Sequence, residues 1–266
     1  MMQNLAAGAL VKETLLTTLG GLPLTGLEFN ANYLASLVTL KRQRLAKSSR
    51  PAGDFIAPRA AHDVYRQCAR EAVDVPDFSE LSVGQQANVT SALARITDLF
   101  PEWTLCFSVP VEIRLCDSIL SWTSSFVPQQ IMLGPRAFEE NSLLEELLIH
   151  EYSHVWMGFI REIADMHDYR NPGVFVLPSG TRGKDARGVI FAGMFATSVC
   201  IYLERKLKYG SATGGEMLRL EHLHSYRLGC IEMLDGSPHL NALGRDIVSR
   251  MKSCFEVKHC QTNSDI

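Results

Sequence analysis

The chain contains no Cys-x-x-Cys pair. Its seven cysteines (Cys68, Cys106, Cys116, Cys200, Cys230, Cys254 and Cys260) are odd in number and stand singly. This favours reduced thiols in a cytoplasmic protein over a disulfide framework or a cysteine-zinc site. No run of eighteen or so apolar residues is present, so no membrane span is expected. The first twenty residues carry no basic leader and are interrupted by Lys12 and Glu13, so they do not read as a signal peptide. Excess charge of one sign is also missing. The formal net charge is −3, which argues against nucleic acid or a membrane surface as a partner. The longest basic cluster, Lys41 to Arg44, reads as a solvated helix end.

What is present is an ordinary globular composition, with 46% hydrophobic residues over 266 positions. That is enough chain to bury a core without staples. Residues 1–100 read as a helical region, with helices over about 28–47, 60–74 and 83–99 punctuated by Pro51, Pro58 and Pro76. Residues 101–266 read as the chemically active region, packed with the first into one unit. Its start changes character. Residues 105–115 are rich in β-branched and apolar side chains, and Val109, Val111, Ile113 and Leu115 alternate. Pro110 marks an edge strand or a bulge. A second strand fits Gln130 to Leu133. Later helices are expected over about 186–209, 215–234 and 239–255, the first stopping at Gly210.

Inside the run LLEELLIHEYSHVWMGFI stands His150-Glu151-Tyr152-Ser153-His154. Residues four apart on a helix share a face, so two imidazoles at this spacing can hold one metal ion, with Glu151 beside the first as a base. An HExxH should arise by chance in a chain of this make-up on the order of one time in a hundred. Ser142 to Glu145 reads as a capping box that starts this helix. Strand, short loop and metal-binding helix follow one another as in zincin-like folds. The expected class is therefore α+β and mostly helical, with a small antiparallel sheet and the HExxH helix packed on a second long helix.

Two histidines do not complete a site. The position six beyond His154 is Ile160, so the longer HExxHxxGxxH signature is absent. Glu204 is the first candidate for a third ligand, because it continues a stripe of small residues (Gly193, Ala196, Thr197, Cys200) on the second long helix. Asp165, His167, His222 and His224 are the alternatives. Two imidazoles and a carboxylate suit zinc with an open position, and equally a facial triad holding iron(II). A zinc hydrolase would use Glu151 to activate water. An oxygenase using a 2-oxo acid needs a cation for the distal carboxylate, and Arg182, Lys184 and Arg187 precede the second long helix.

LLIHEYSHVW, the loop and helix PSGTRGKDARGVIFAGMFA, and LNALGRDIV together resemble the HExxH-motif peptide-modifying family, over about residues 125–250. The resemblance implies iron(II)- and 2-oxoglutarate-dependent hydroxylation of an amino-acid or peptide side chain, with dioxygen as the other reactant. It implies that His150 and His154 are iron ligands and that a loop arginine, Arg182 or Arg187, holds 2-oxoglutarate. The chain departs from the family at Phe191 to Phe195, where many members carry a histidine. The rival expectation is a zincin-type zinc metallopeptidase.

Overall fold

In the computed structural model, residues 14–68, 75–124 and 126–261 are described. Helix α1 (Leu15–Thr18) is one turn. It is followed by α2 (Ala31–Leu45), α3 (Pro58–Cys68), strand β1 (Ser79–Glu80), α4 (Val83–Leu99) and the short α5 (Thr104–Phe107). Three strands come next, β2 (Glu112–Leu115), β3 (Ser121–Ser124) and β4 (Val127–Leu133). Four long helices close the chain, α6 (Asn141–Ile163), α7 (Ala186–Lys208), α8 (Gly214–Leu234) and α9 (Ala242–Gln261). The class is α+β and mostly helical. The end of the expected helix 60–74 lies outside the described residues.

The sheet is mixed, not antiparallel. Its order is β1-β2-β4-β3, with β2 and β4 parallel and the other two pairs antiparallel. The cause is β3, whose four residues carry no strand signal in the sequence. Ser-Trp-Thr-Ser is short and mostly polar, yet it pairs with β4 as a hairpin and directs β4 back into the place beside β2. The expected strand from residue 105 begins only at Glu112. Residues 104–107 turn helical because tertiary packing wins over β-propensity. Trp156 donates its indole N–H to the Cys106 carbonyl at 3.0 Å, and both Cys106 and Phe107 are buried.

Helix α6 is the spine. It packs on α2, α4, α7 and the sheet, and 14 of its 23 residues are buried. The expected capping box at its start does not form. The helix begins at Asn141 with Glu140 as an N-cap that makes no side-chain bond. Glu145 is drawn elsewhere: its buried carboxylate accepts from Tyr202 at 2.7 Å and pairs with Arg95 and Lys206. At the far end of α6, Glu162 forms a bidentate pair with the fully buried Arg42 of α2, at 2.6 and 2.8 Å. Arg42 also donates to Gln129 in β4, at 2.6 Å.

Helix α7 is long and apolar enough to cross a membrane, but 72% of its apolar window is buried inside the fold. It is a core helix lying between α6 on one side and α8 and α9 on the other. At the α7–α8 corner, Thr213 and Glu216 form a reciprocal capping box, and Lys206 reaches Glu216 at 2.5 Å. Burial pushes the Glu216 carboxyl up, but Lys206 and Thr213 together hold it below its ordinary value. A lowered carboxyl pKa stabilises the fold above the unfolded value, and that contribution is lost as pH falls through the lowered one. Glu216→Gln is therefore expected to reduce stability at pH 7 by about 1–2 kcal/mol, the scale of a charge-assisted hydrogen bond. The gap to the parent should close on acidification. Thermal melts from pH 7 to pH 3 measure both, and a pH-independent gap would refute the assignment.

Candidate metal centre

The helical period of α6 places His150 and His154 on one face, one turn apart. Their Nε2 atoms face each other at 2.9 Å. Bonds of about 2.0–2.1 Å from each nitrogen to one ion are compatible with this separation. Glu151 is the next residue round the helix. It is 2% exposed, its Oε1 lies 3.9 Å from His150 Nε2, and its Oε2 is buried without a hydrogen-bond partner. Candidate ligand atoms of His150, Glu151 and His154 all lie within 4.8 Å of one another. Among the described residues this is the one such group of His, Cys, Asp and Glu side chains.

Burial pushes the His150 imidazole down to about 3, helped by the nearby Arg219. Burial does the same for His154, also to about 3, with His150 and Lys184 adding to the shift and Glu151 opposing it. Both rings are then neutral at physiological pH, the state a metal requires. Two neutral Nε2 lone pairs at this distance repel unless a proton or a cation lies between them. The residues present thus fit a divalent metal ion.

The histidines open onto a cavity of about 600 Å³. One wall is α7, through Gly188, Phe191, Ala192 and Phe195. Phe195 stacks on His150, with centroids 3.8 Å apart and planes at 7°, and Phe191 lies over His154 at 5.6 Å and 29°. The facing wall is β3, through Ser121, Thr123 and Ser124. The rim is the loop ahead of α7. Phe175 and Lys184 pair across it (N–H to O, 2.7 and 3.2 Å), and Gly180 and Gly183 turn it at φ of 85° and 73°. That hairpin delivers Ser179, Thr181 and Lys184 to the cavity. Asp185 caps α7 by accepting from the Gly188 N–H at 2.7 Å, and it pairs with Arg187 at 3.1 Å, which fixes that guanidinium at the rim.

Not all expected site residues come together here. Glu204 does not join the cluster. Its stripe on α7 faces α8 and α9: Gly193 lies against Cys230 and Met251, and Glu204 pairs with His224 at 3.3 Å. The small residues on that stripe serve helix packing, and Glu204 is corrected from metal ligand to interhelical partner. Asp165 is exposed and accepts from Tyr169. His167 is buried 3.9 Å from Asp185, and His222 is exposed. Of the rim cations, Lys184 and Arg187 line the cavity, whereas Arg182 is exposed and does not. Arg182 lies on the returning arm of the hairpin, between Thr181 and Lys184, and is exposed. Residues of β3 and Tyr226 of α8 also line the cavity and were not anticipated. Their signal was weak, because a four-residue polar strand carries no periodicity and a lone tyrosine on a helix has no distinguishing pattern.

No protein-family model matches the chain, and no curated protein matches it.

Proposed function

We propose that the chain is a non-haem iron(II), 2-oxo-acid-dependent oxygenase that oxidises an unactivated carbon of an amino-acid or peptide side chain. One observation carries the reading: a pair of facing, neutral imidazoles opens onto a cavity whose rim holds Lys184 and Arg187. His150 and His154 would hold the iron. Lys184 and Arg187 would pair with the distal carboxylate of the 2-oxo acid, which a cavity of this polarity attracts. When bound, the iron supplies dioxygen chemistry: one oxygen atom goes to the substrate carbon and the other to the carboxylate formed as the 2-oxo acid loses carbon dioxide. Phe191 and Phe195 exclude water from one side. Ser121 and Thr123 on β3 offer hydroxyls to orient a polar substrate. Cys200 and Cys230, pushed up to about 12 by burial, stay protonated and take no part.

The test is anaerobic reconstitution with iron(II) and 2-oxoglutarate. A weak visible charge-transfer band is expected, followed by succinate on admitting oxygen with candidate amino acids or peptides. No band and no succinate would overturn the reading.

A second reading, a zincin-type zinc metallopeptidase, is favoured by the buried, unpartnered Glu151 oxygen beside His150. The antiparallel strand β3 beside the HExxH helix also suits a zincin-like arrangement. Glu151→Gln separates the two readings. A peptidase loses essentially all activity with its water-activating base, whereas an oxygenase keeps most of its turnover.

A further inference from the structure

We infer that the metal centre is completed from outside the chain, by a small chelating carboxylate, so that metal and anion bind cooperatively. The inference rests on the metal-binding role proposed for His150 and His154 and goes beyond it.

On the α7 wall, the residues that face the cavity are Arg187 in the first turn and then Gly188, Phe191, Ala192 and Phe195; the guanidinium is a cation, and the other four carry no side-chain donor atom. The two aromatic rings lie directly against the histidines. Hydrocarbon therefore occupies the wall from which a helix-borne third ligand would come. The β3 wall offers neutral hydroxyls, which are poor ligands. Glu162 also lines the cavity, but both its oxygens are committed to Arg42. Glu146, one turn before His150, is clamped by Arg219 through three contacts of 2.6 to 3.1 Å. Glu151 is left as the single nearby carboxylate; as the next residue round the helix it stands off the face that His150 and His154 share, and even if it reaches the ion the site holds only three protein donors.

Charge sharpens the point. Two neutral imidazoles bring no charge to a divalent ion, Glu151 is the one carboxylate beside it, and Lys184 lines the same cavity together with Arg187, which is paired with Asp185. Metal alone is left with positions that no side chain of the cavity wall fills, and an anion alone has no ion to chelate. An anion that chelates the ion and reaches the rim removes both penalties. By linkage, each ligand must then tighten the other by the same factor. Phe195 is the positioning residue in this account. It holds the His150 ring by stacking and keeps the third position free of protein.

The experiment is a binding cycle with cobalt(II), followed by its visible spectrum, on the full chain. Titrations are run alone and with saturating 2-oxoglutarate, glycine or acetate. The expected result is a cobalt dissociation constant about tenfold or more tighter with a chelating acid, in the usual range of coupling between sites. Acetate, which has no second donor, should give little. Tightening by 2-oxoglutarate assigns the third position to the oxo acid, and tightening by glycine alone assigns it to an amino-acid substrate. Phe195→His, which brings a nitrogen to the α7 wall, should bind cobalt tightly without the acid and gain less from it. Equal wild-type affinity with and without the acids overturns the inference and leaves the metal reading standing. No cobalt binding by wild type or by folded Phe195→His, with or without the acids, overturns both. The wild-type cycle is decisive even if the variant does not fold.

Discussion

Replacing His150 and His154 together with alanine is expected to bring bound transition metal from about one equivalent down to background, with an affinity loss of more than about 100-fold. Outer residues behind metal ligands are already worth about 10–100-fold, and this change removes both strong donors that the structure brings together. The fold should persist, because both rings border the cavity and do not fill the core. Metal analysis of protein purified without added metal, paired with circular dichroism, reads the two outcomes separately. Unchanged metal content in the folded double variant would place the ion elsewhere and remove the basis for either enzymatic reading.

Arg42→Met is expected to destabilise the protein by about 3–5 kcal/mol. Removing one partner of a buried ion pair strands the other charge. Here Arg42 is fully buried and its side chain also binds Gln129 and the Phe55 carbonyl. Total stabilities of domains are of order 5–15 kcal/mol, so this loss threatens folding at 37 °C. Adding Glu162→Gln removes the stranded charge, and the double variant should recover a substantial part of the loss. Denaturant unfolding of the two single variants and the double variant closes the cycle. Simple additivity would show that the pair does not act as a unit. The pair also lies under the cavity, whose lining includes both Gln129 and Glu162, so a loosened pair should weaken ligand binding as well.

The reading of α4 over residues 83–99 matches the structure because Ser82 and Gln85 form a local capping box and the repeat that follows is local too. The same holds for α7 and α8, which start at Asp185 and Thr213 and make their caps within three residues. Where a side chain had both a local and a distant partner, the sequence misled. Glu145 looked like the acidic half of a cap but is bound by Arg95, Tyr202 and Lys206 from α4 and α7. Glu204 looked like a ligand because it lies on the second long helix, but the rotation of that helix decides which neighbours it meets.

The sequence by itself determined the pair of imidazoles, since a spacing of four on a helix fixes a shared face whatever the surroundings. It also determined the mostly helical class and the polar, glycine-bearing loop ahead of α7. Only the tertiary structure decided what stands opposite the pair. The face that α7 turns toward α6 carries Phe191 and Phe195, while Glu204 turns toward His224. That choice depends on packing against α6, α8 and α9 at once. A site made of side chains from separate elements is set by the rotations and offsets between them, and no local periodicity in the chain encodes those.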